Sequence, residues 1–236
     1  MKDVLEIIEK IRMAESKDEL GNILGEMTSV IGLEYYLLGH TKAESMLSSE
    51  TTIIDNYPSA WRNTYKSEKL VKHDPSVEYC LSRSSPISWH QLRERPLKHS
   101  QKDFMLQAHE SGLKAGFCIP LHGAKSEFCM INFGSSCDDT AHIDSAILKA
   151  QIVAPALFDK MAQLKKRADI SLTKRETECL LWVSEGKSSW ETSVIIGCSE
   201  RTVVFHLTNA MSKLGCANRY QAVSKAIILG LIRPAI

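Results

Sequence analysis

The sequence predicts an α+β protein with two domains: an N-terminal α/β/α sandwich around an antiparallel sheet, and a C-terminal all-α domain of four helices. The chain has 236 residues, of which 44% are hydrophobic, which suffices for one core of about 160 residues beside a small helical domain. Apolar residues recur at helical spacing at both ends of the chain, and the period changes in between. Charge divides the chain as well: residues 160–236 contain 12 Lys+Arg and 6 Asp+Glu, whereas residues 1–159 contain 17 and 22.

The N-terminal domain is predicted to begin with two helices. Apolar residues recur at helical spacing over residues 2–13 and 18–31, and Gly32 ends the second helix. Four short segments then combine aromatic and β-branched residues between turn formers. They predict strands at residues 35–38, 51–54, 116–121 and 128–133. Together these elements indicate helices packed around a mainly antiparallel sheet.

A further helix is predicted from about His142 to Leu164. Its apolar residues suggest a dimer surface made by Ile143, Ile147, Ile152, Leu157 and Leu164. The charged segment 165–169 follows and has little to bury. We therefore expect an N-terminal domain over residues 1–165, a linker over 166–171 and a C-terminal domain over 172–236.

Helix start and stop signals divide the C-terminal domain. Capping residues predict four helix starts, at Thr173 with Glu176, Ser188 with Glu191, Ser199, and Asn218 with Gln221. Two glycines suit left-handed helix ends, Gly186 and Gly197. The second and third helices, joined by the turn at Gly197, form a helix-turn-helix.

The third helix has two different faces. An apolar stripe is predicted to pack against the other helices: Val203, Leu207, Ala210 and Leu214. The outward positions are short or polar, as a helix that enters a DNA major groove requires, and they include Arg201, Val204, His206, Thr208, Asn209 and Lys213. A small helical bundle used for protein contacts is the alternative interpretation.

Aromatic residues gather in the segment NYPSAWRNTYKSEKLVKHDPSVEYCLSRSSPISW. Tyr57, Trp61 and Tyr65 recur at i, i+4 and i+8, which predicts three rings on one helix face. A core stripe is the simpler interpretation, although buried tyrosine and tryptophan need partners for their polar tips. Asp74 with Pro75 likewise fits an ordinary helix start, with aspartate as N-cap and proline at the first helical position.

Both halves of the chain resemble one family. The motifs L-T-x-R-E-x-E-x-L-x-W-x-x-x-G-K, S-E-R-T-V-x-F-H-L-x-N-A-M-x-K-L and N-R-x-Q-A-V closely resemble the DNA-binding domain of LuxR-type quorum-sensing transcription regulators. Seven upstream residues have the order and spacing of that family's autoinducer-binding domain: Tyr57, Trp61, Tyr65, Asp74, Pro75, Trp89 and Gly116. The resemblance implies a homodimeric transcription factor that binds a small-molecule autoinducer and palindromic promoter DNA.

The ligand that the resemblance implies is an N-acyl-homoserine lactone, with no cofactor. Trp61 is expected to donate to the lactone carbonyl, Asp74 to accept the amide N–H, and Tyr65 to donate to the amide carbonyl. Trp89 is expected to stack over the lactone ring. Leu37 and Met130 stand where some relatives have a small hydroxyl residue, which suggests a more apolar pocket. The candidate ligand-binding residues are Leu37, Tyr57, Trp61, Tyr65, Asp74, Pro75, Trp89, Gly116 and Met130.

The candidate DNA-binding residues lie at the start of the second helix and along the third. Their long cationic members are placed to meet phosphates. Val204 and Thr208 resemble the family's base-reading pair, and Val204 can offer only apolar contact, for instance to a thymine methyl group. The full set is Lys187, Arg201, Thr202, Val204, His206, Thr208 and Lys213.

Other function classes find less support. Cys118, His122 and Asp74 form no recognisable catalytic motif, so we do not expect an enzyme. Seven cysteines without a CxxC pair predict reduced thiols and suggest no metal site. With no signal peptide and no long apolar run, we expect a cytoplasmic protein without membrane association. RNA polymerase is a further expected partner. The main alternative is an orphan regulator of the same architecture, acting without ligand or with a different small molecule.

Overall fold

The computed structural model describes residues 2–123, 125–164 and 170–234, which divide into two compact units. The larger unit contains residues 2–41, 51–122 and 128–164, and the smaller unit contains residues 170–234 together with the short segments 42–50, 123 and 125–127. Most of the predicted linker, residues 166–169, lies outside the described residues. The domain boundaries therefore stay a prediction.

The larger unit is built from helices and strands that alternate along the chain. Its described helices are α1 (Lys2–Met13), α2 (Lys17–Ile31), α3 (Ser59–Ser67), α4 (Pro75–Ser82), α5 (Trp89–Arg93), α6 (His99–Glu110) and α7 (Ile143–Leu164), with a 3-10 turn at Leu70–Lys72. Its described strands are β1 (Tyr35–Ser45), β2 (Ser48–Asp55), β3 (Ile87–Ser88), β4 (Ala115–His122) and β5 (Glu127–Ser135).

The five strands form one sheet in the order β2-β1-β5-β4-β3. Strands β4 and β5 pair antiparallel, with Gly116 opposite Gly134 and Cys118 opposite Asn132. The short strand β3 pairs antiparallel with β4, and Ile87 lies opposite Cys118. This register directs the even-numbered residues of β4 and β5 to the same face of the sheet.

Both faces of the sheet are buried, and each belongs to a different core. Phe117, Ile131 and Phe133 point to one face and pack with α1, α2 and α7. Their neighbours along the strands, such as Cys118 and Met130, point to the opposite face and pack with residues of α3 to α6. Because side chains alternate along a strand, the same two strands build both cores. The predicted α/β/α sandwich around an antiparallel sheet is confirmed.

Helix α7 has the predicted extent, and the first core takes up several of the residues predicted for a dimer surface. Ile143 and Leu157 are buried in the first core, and Ile147 and Leu164 pack against it, because α7 packs on α1 and β4. Ile152 alone among the five predicted surface residues is well exposed, at 44%. Ile143 and Leu157 therefore cannot take part in a dimer surface, and a dimer surface on the rest of α7 stays a prediction.

The aromatic segment also differs from its prediction. Tyr57 precedes α3, so it does not share a helix face with Trp61 and Tyr65. It still reaches the same core through the chain turn before the helix. Strand β3 and helix α5 were not predicted, because two-residue and five-residue elements carry too little periodicity. The twelve-residue helix α6 was missed although its buried residues Phe104, Met105 and Ala108 have helical spacing.

The smaller unit is a four-helix domain with the predicted starts. Its described helices are α8 (Lys174–Ser184), α9 (Ser189–Ile196), α10 (Glu200–Leu214) and α11 (Arg219–Ile228). Each start is capped by a side chain that accepts a first-turn amide: Thr173, Ser188, Ser199 and Asn218. The predicted stripe of α10 is buried, and Gly197 makes the turn between α9 and α10 with a φ of 69°. The helix-turn-helix prediction is confirmed at the level of fold.

Glu176 links two helices of this unit in addition to closing its capping box. Its Oε2 accepts the Thr173 amide and the Lys213 ammonium, each at 2.7 Å, and so joins the start of α8 to the end of α10. Burial by itself raises the pKa of Glu176, which is only 3% exposed. The hydrogen bonds from Lys213 and Thr173 outweigh that effect and hold the pKa below its ordinary value.

Two further sequence-based expectations concern membranes and thiols. Across residues 2–123, 125–164 and 170–234, the structure contains no helix that is both long and apolar enough to cross a membrane. Cys118, Cys129 and Cys179 are buried and unbridged, as predicted.

Acid is expected to weaken the smaller unit through Glu176. A carboxylate whose pKa is lowered on folding stabilises the protein above its unfolded pKa, about 4.3 for glutamate, and loses that contribution as the pH falls through the folded pKa. We expect Glu176→Gln to lower the free energy of unfolding at pH 7 by about 1–3 kcal/mol. The variant should also lose less stability than the wild type between pH 7 and about pH 3. Urea unfolding at both pH values measures these effects.

Glu178→Gln is the matched control. Glu178 lies on the same helix, but its ion pair with Arg175 is at the surface. Such pairs contribute about 0–1 kcal/mol, so this variant should keep nearly wild-type stability and pH dependence. Equal losses in the two variants would contradict the special contribution of Glu176.

Candidate functional site

The second core brings together most of the residues predicted to bind a ligand. Tyr57, Trp61, Trp89 and Met130 are buried members of this cluster, which we call the aromatic core. Leu37 and Tyr65 pack against it. Asp74, Pro75 and Gly116 are also buried. All nine side chains or backbone positions come from α3, α4, α5 and the adjoining sheet face, or from the turns beside them.

Edge-to-face ring contacts order the aromatic core. Trp61, Tyr65 and Phe104 contact one another, with ring centroids 5.5–6.0 Å apart. Tyr35 and Tyr57 make a similar contact at 6.2 Å. Such geometry is the favoured arrangement of aromatic pairs. Phe104, from α6, was missed by the sequence analysis because α6 itself was not predicted.

Asp74 is at once a helix cap and a buried acceptor. Its Oδ1 accepts the amide of Ser76 at 2.8 Å and the Ser76 hydroxyl at 2.5 Å, which starts α4 immediately before Pro75. Its Oδ2 accepts the hydroxyl of Tyr65 at 3.1 Å. Because a carboxylate oxygen can accept two hydrogen bonds, Oδ2 retains capacity for one more donor.

Burial dominates the titration of this group. Loss of solvent raises the pKa of Asp74, although hydrogen bonds from Ser76 and Tyr65 act in the opposite direction. Burial and the nearby Asp74 carboxyl also raise the pKa of Tyr65 well above its ordinary value. Tyr65 is therefore a neutral hydroxyl, able to donate one hydrogen bond and to accept others.

The hydrogen bond of Tyr65 differs from the one that the resemblance implies. The hydroxyl was expected to donate to a ligand carbonyl, but it donates to Asp74. A hydroxyl has a single proton to donate. A ligand carbonyl at Tyr65 would have to replace Asp74 as the acceptor of that proton.

Trp89 lies against a part of the sheet that has no side chains. A Cβ on Gly116 would come within 2.9 Å of the indole Cη2 and Cζ3 atoms, and one on Gly134 within 2.6 Å of Cη2. The capping box between Ser88 and Gln91, with both hydrogen bonds at 3.1 Å, holds Trp89 at the first position of α5. Gly116 therefore contributes space rather than contact, and Gly134 does the same without having been predicted.

Asn132 is a polar residue that the sequence analysis missed. It lies on the aromatic face of β5 between Met130 and Gly134, opposite Cys118, and is 4% exposed. Its carboxamide can both donate and accept hydrogen bonds. The only available signal in the sequence was a polar residue inside an apolar strand.

The outer face of α10 presents four residues at i, i+3, i+4 and i+7. Arg201, Val204 and Thr208 are exposed there as predicted, together with Phe205 at 59%. Thr208 donates its hydroxyl proton to the Val204 carbonyl at 2.9 Å. It can therefore meet a partner as an acceptor or through its methyl group.

The other predicted DNA contacts have structural partners or are partly covered. Thr202 shares a 2.8 Å hydrogen bond with the Ser199 hydroxyl at the helix start. Lys213 holds Glu176, so its ammonium is engaged within the fold. His206 and Lys187 are half-buried. The roles of these residues toward DNA stay predictions.

Two family models match the chain. One is described as an autoinducer binding domain and matches residues 16–161. The other is described as bacterial regulatory proteins of the luxR family and matches residues 170–226. The first match covers most of the larger unit, and the second lies within the smaller unit.

Several characterised proteins are similar over nearly the full chain. Transcriptional activator protein LuxR from Aliivibrio fischeri is 42% identical, covering 98% of this chain and 94% of its own length. Transcriptional activator protein VanR from Vibrio anguillarum is 38% identical over 99% of each chain. Escherichia coli SdiA shares the fold, with a TM-score of 0.82 over 98% of both chains at 22% identity.

The hydrogen bonds of Asp74 yield a stability prediction that needs no ligand. Ser76→Ala should lower the free energy of unfolding by about 1–3 kcal/mol, because a buried carboxyl loses a partner. Tyr65→Phe should cost about 1 kcal/mol, since Oδ2 loses a longer hydrogen bond. Ser82→Ala on the same helix is the control, because the Ser82 hydroxyl is exposed. Chemical unfolding measures the three variants, and a loss for Ser82→Ala as large as that for Ser76→Ala would contradict the assignment.

Proposed function

The chain belongs to the LuxR family of quorum-sensing transcription regulators, and on this premise we propose that its larger unit binds an N-acyl-homoserine lactone. We further propose that the smaller unit binds palindromic promoter DNA as part of a homodimer in the cytoplasm. The observation that carries the ligand proposal is the buried Asp74 carboxyl inside an aromatic core, with acceptor capacity left on Oδ2.

The polar groups of the aromatic core complement a neutral acyl-homoserine lactone. Such a headgroup offers one amide N–H and two carbonyl oxygens. Asp74 would accept the N–H. Trp61 would donate its indole N–H, which has no acceptor among the described residues, and Tyr65 would turn from Asp74 to the amide carbonyl. Exchange of one buried hydrogen bond for another keeps every polar group paired, as a dry pocket requires.

The acyl chain would lie along the sheet face. Leu37 and Met130 provide apolar surface there, which supports the expectation of an apolar pocket. Asn132, next to Met130 on the same face, adds a carboxamide that can donate a hydrogen bond. We therefore expect an oxygen at the 3-position of the chain to be favoured, contrary to the purely apolar version inferred from the sequence.

Ligand binding would act through stability and assembly. A ligand that binds only the folded state stabilises it by mass action. On α7, Leu148 and Ile152 lie one turn apart and are 65% and 44% exposed. These two exposed residues, of which Ile152 was among the five first predicted, support α7 as the dimer surface.

Dimeric DNA binding would use the outer face of α10. Arg201 would contact phosphate, and Val204 would make apolar contact with a base edge. Two copies would read half-sites about one helical turn apart. On α9, Trp190 and Val194 are 63% and 65% exposed at i, i+4 spacing, which supports a protein partner such as RNA polymerase.

Asp74→Asn is expected to abolish or strongly weaken ligand-dependent stabilisation. A ligand at 100 times its Kd stabilises the folded state by about 2.7 kcal/mol, which corresponds to a rise in Tm of several degrees. The variant loses the acceptor of the amide N–H, so the rise should disappear at the same concentration. Thermal unfolding against lactones of different chain length and 3-substituent measures it.

Asp103→Asn is the control, because Asp103 is an exposed carboxylate in the same unit. It should respond to lactones as the wild type does. A flat response of folded wild-type protein to the whole panel would instead favour the orphan regulator, acting without ligand or with another small molecule.

Arg201→Ala and Val204→Ala should affect DNA binding in different ways. Removing one phosphate contact weakens binding to every sequence and reduces the slope of log K against log salt by about 0.9. Val204→Ala should leave that slope unchanged and relax preference at one base pair, at a cost of about 1–3 kcal/mol for the preferred base. Titrations of both variants at several salt concentrations, with the preferred and a substituted palindrome, measure these effects. Identical behaviour of the two variants would contradict the assignment.

A further inference from the structure

We propose that Gly134 positions Trp89 and thereby sets the headgroup selectivity of the ligand site, an inference that rests on the proposed function. Gly134 and Gly116 lie directly opposite each other on β5 and β4. Both leave the sheet face bare beneath the outer edge of the indole ring. A Cβ on Gly134 would lie 2.6 Å from Cη2 and 3.2 Å from Cζ3 of Trp89.

The two glycines have different neighbours. A Cβ on Gly116 would overlap the Phe133 carbonyl oxygen as well as the indole, so Gly116 is also required by the backbone of the sheet. A Cβ on Gly134 would overlap the indole alone, because its next neighbour, the Ala115 carbonyl oxygen, is at an ordinary 3.5 Å. Substitution of Gly134 therefore reports on the position of Trp89.

Trp89 has little freedom to withdraw. It is 8% exposed, and the Ser88–Gln91 capping box holds the first turn of α5 beside the sheet. An added methyl group on β5 would push the indole away from the sheet, toward the aromatic core. The lactone ring that stacks on Trp89 would then have less room, whereas the acyl chain along Leu37 and Met130 would be unaffected.

The test compares two ligands that share an amide and a chain but differ in the ring. N-decanoyl-homoserine lactone and N-ethyldecanamide are titrated against wild-type protein and Gly134→Ala by calorimetry. One methyl group too many in a fitted pocket changes binding about 10–200-fold, so the lactone should lose at least about 10-fold in affinity and the ethylamide less than about threefold. The ranking of hexanoyl, octanoyl and decanoyl lactones should stay unchanged.

Two variants control for a general packing defect. Gly25→Ala adds a methyl group to α2, which packs on the opposite face of the sheet, where the nearest atom is 4.0 Å away, and should bind both ligands as the wild type does. In the Trp89→Phe background the ring is shorter and lacks the edge that Gly134 accommodates. There, Gly134→Ala should no longer change the ratio of the two affinities, which is the signature of direct coupling.

Each outcome of these titrations supports or contradicts the positioning role of Gly134. Equal losses for lactone and ethylamide, or no loss for either, would overturn the positioning role. A wild-type protein that binds neither ligand would contradict the proposed function instead. The contact itself is then still tested by thermal unfolding: Gly134→Ala should lower Tm, and should lower it less in the Trp89→Phe background. Equal decreases in both backgrounds would overturn the inference.

Discussion

Burial of the central sheet on both faces is the constraint from which the architecture of the larger unit follows. Successive side chains of β4 and β5 point alternately into the two cores, so neighbouring residues along a strand pack against different sets of helices. The face toward α1, α2 and α7 is filled by aliphatic side chains and the Phe117 and Phe133 rings. The opposite face is filled by aromatic rings and contains the two facing glycines. One face thus serves stability, and the other is free to be shaped for recognition.

The ligand that we propose for that second face would meet polar groups that the fold itself pairs. Asp74 is held by Ser76 and Tyr65. A carboxyl that is buried without partners would be too costly to keep. Because the fold supplies those partners, the acceptor is oriented in advance, and the proposed ligand would displace one tyrosine hydroxyl rather than organise the site.

Local signals in the sequence predicted far more than long-range ones. The capping residues of α8 to α11 act within one helical turn, so Thr173, Ser188, Ser199 and Asn218 marked the starts correctly. The pairing of Gly116 with Gly134, the burial of Asn132 and the capture of Lys213 by Glu176 depend on strand register or on helices far apart in sequence. No periodicity encodes these contacts, so Gly134 and Asn132 were missed and the ion pair of Lys213 with Glu176 was not predicted.

The double duty of Asp74 restricts how the specificity of such a site can evolve. Under the proposed function, a substitution there would change both the recognition of a headgroup and the start of α4, so few alternatives would be compatible with a folded chain. The strands that carry Leu37, Met130 and Asn132 are instead held by backbone hydrogen bonds. Their side chains can therefore be substituted without loss of the hydrogen bonds that form the strand. Divergence toward new signals should accumulate along these strand positions while the aspartate persists, so that paralogues share a headgroup and differ in the chain they accept.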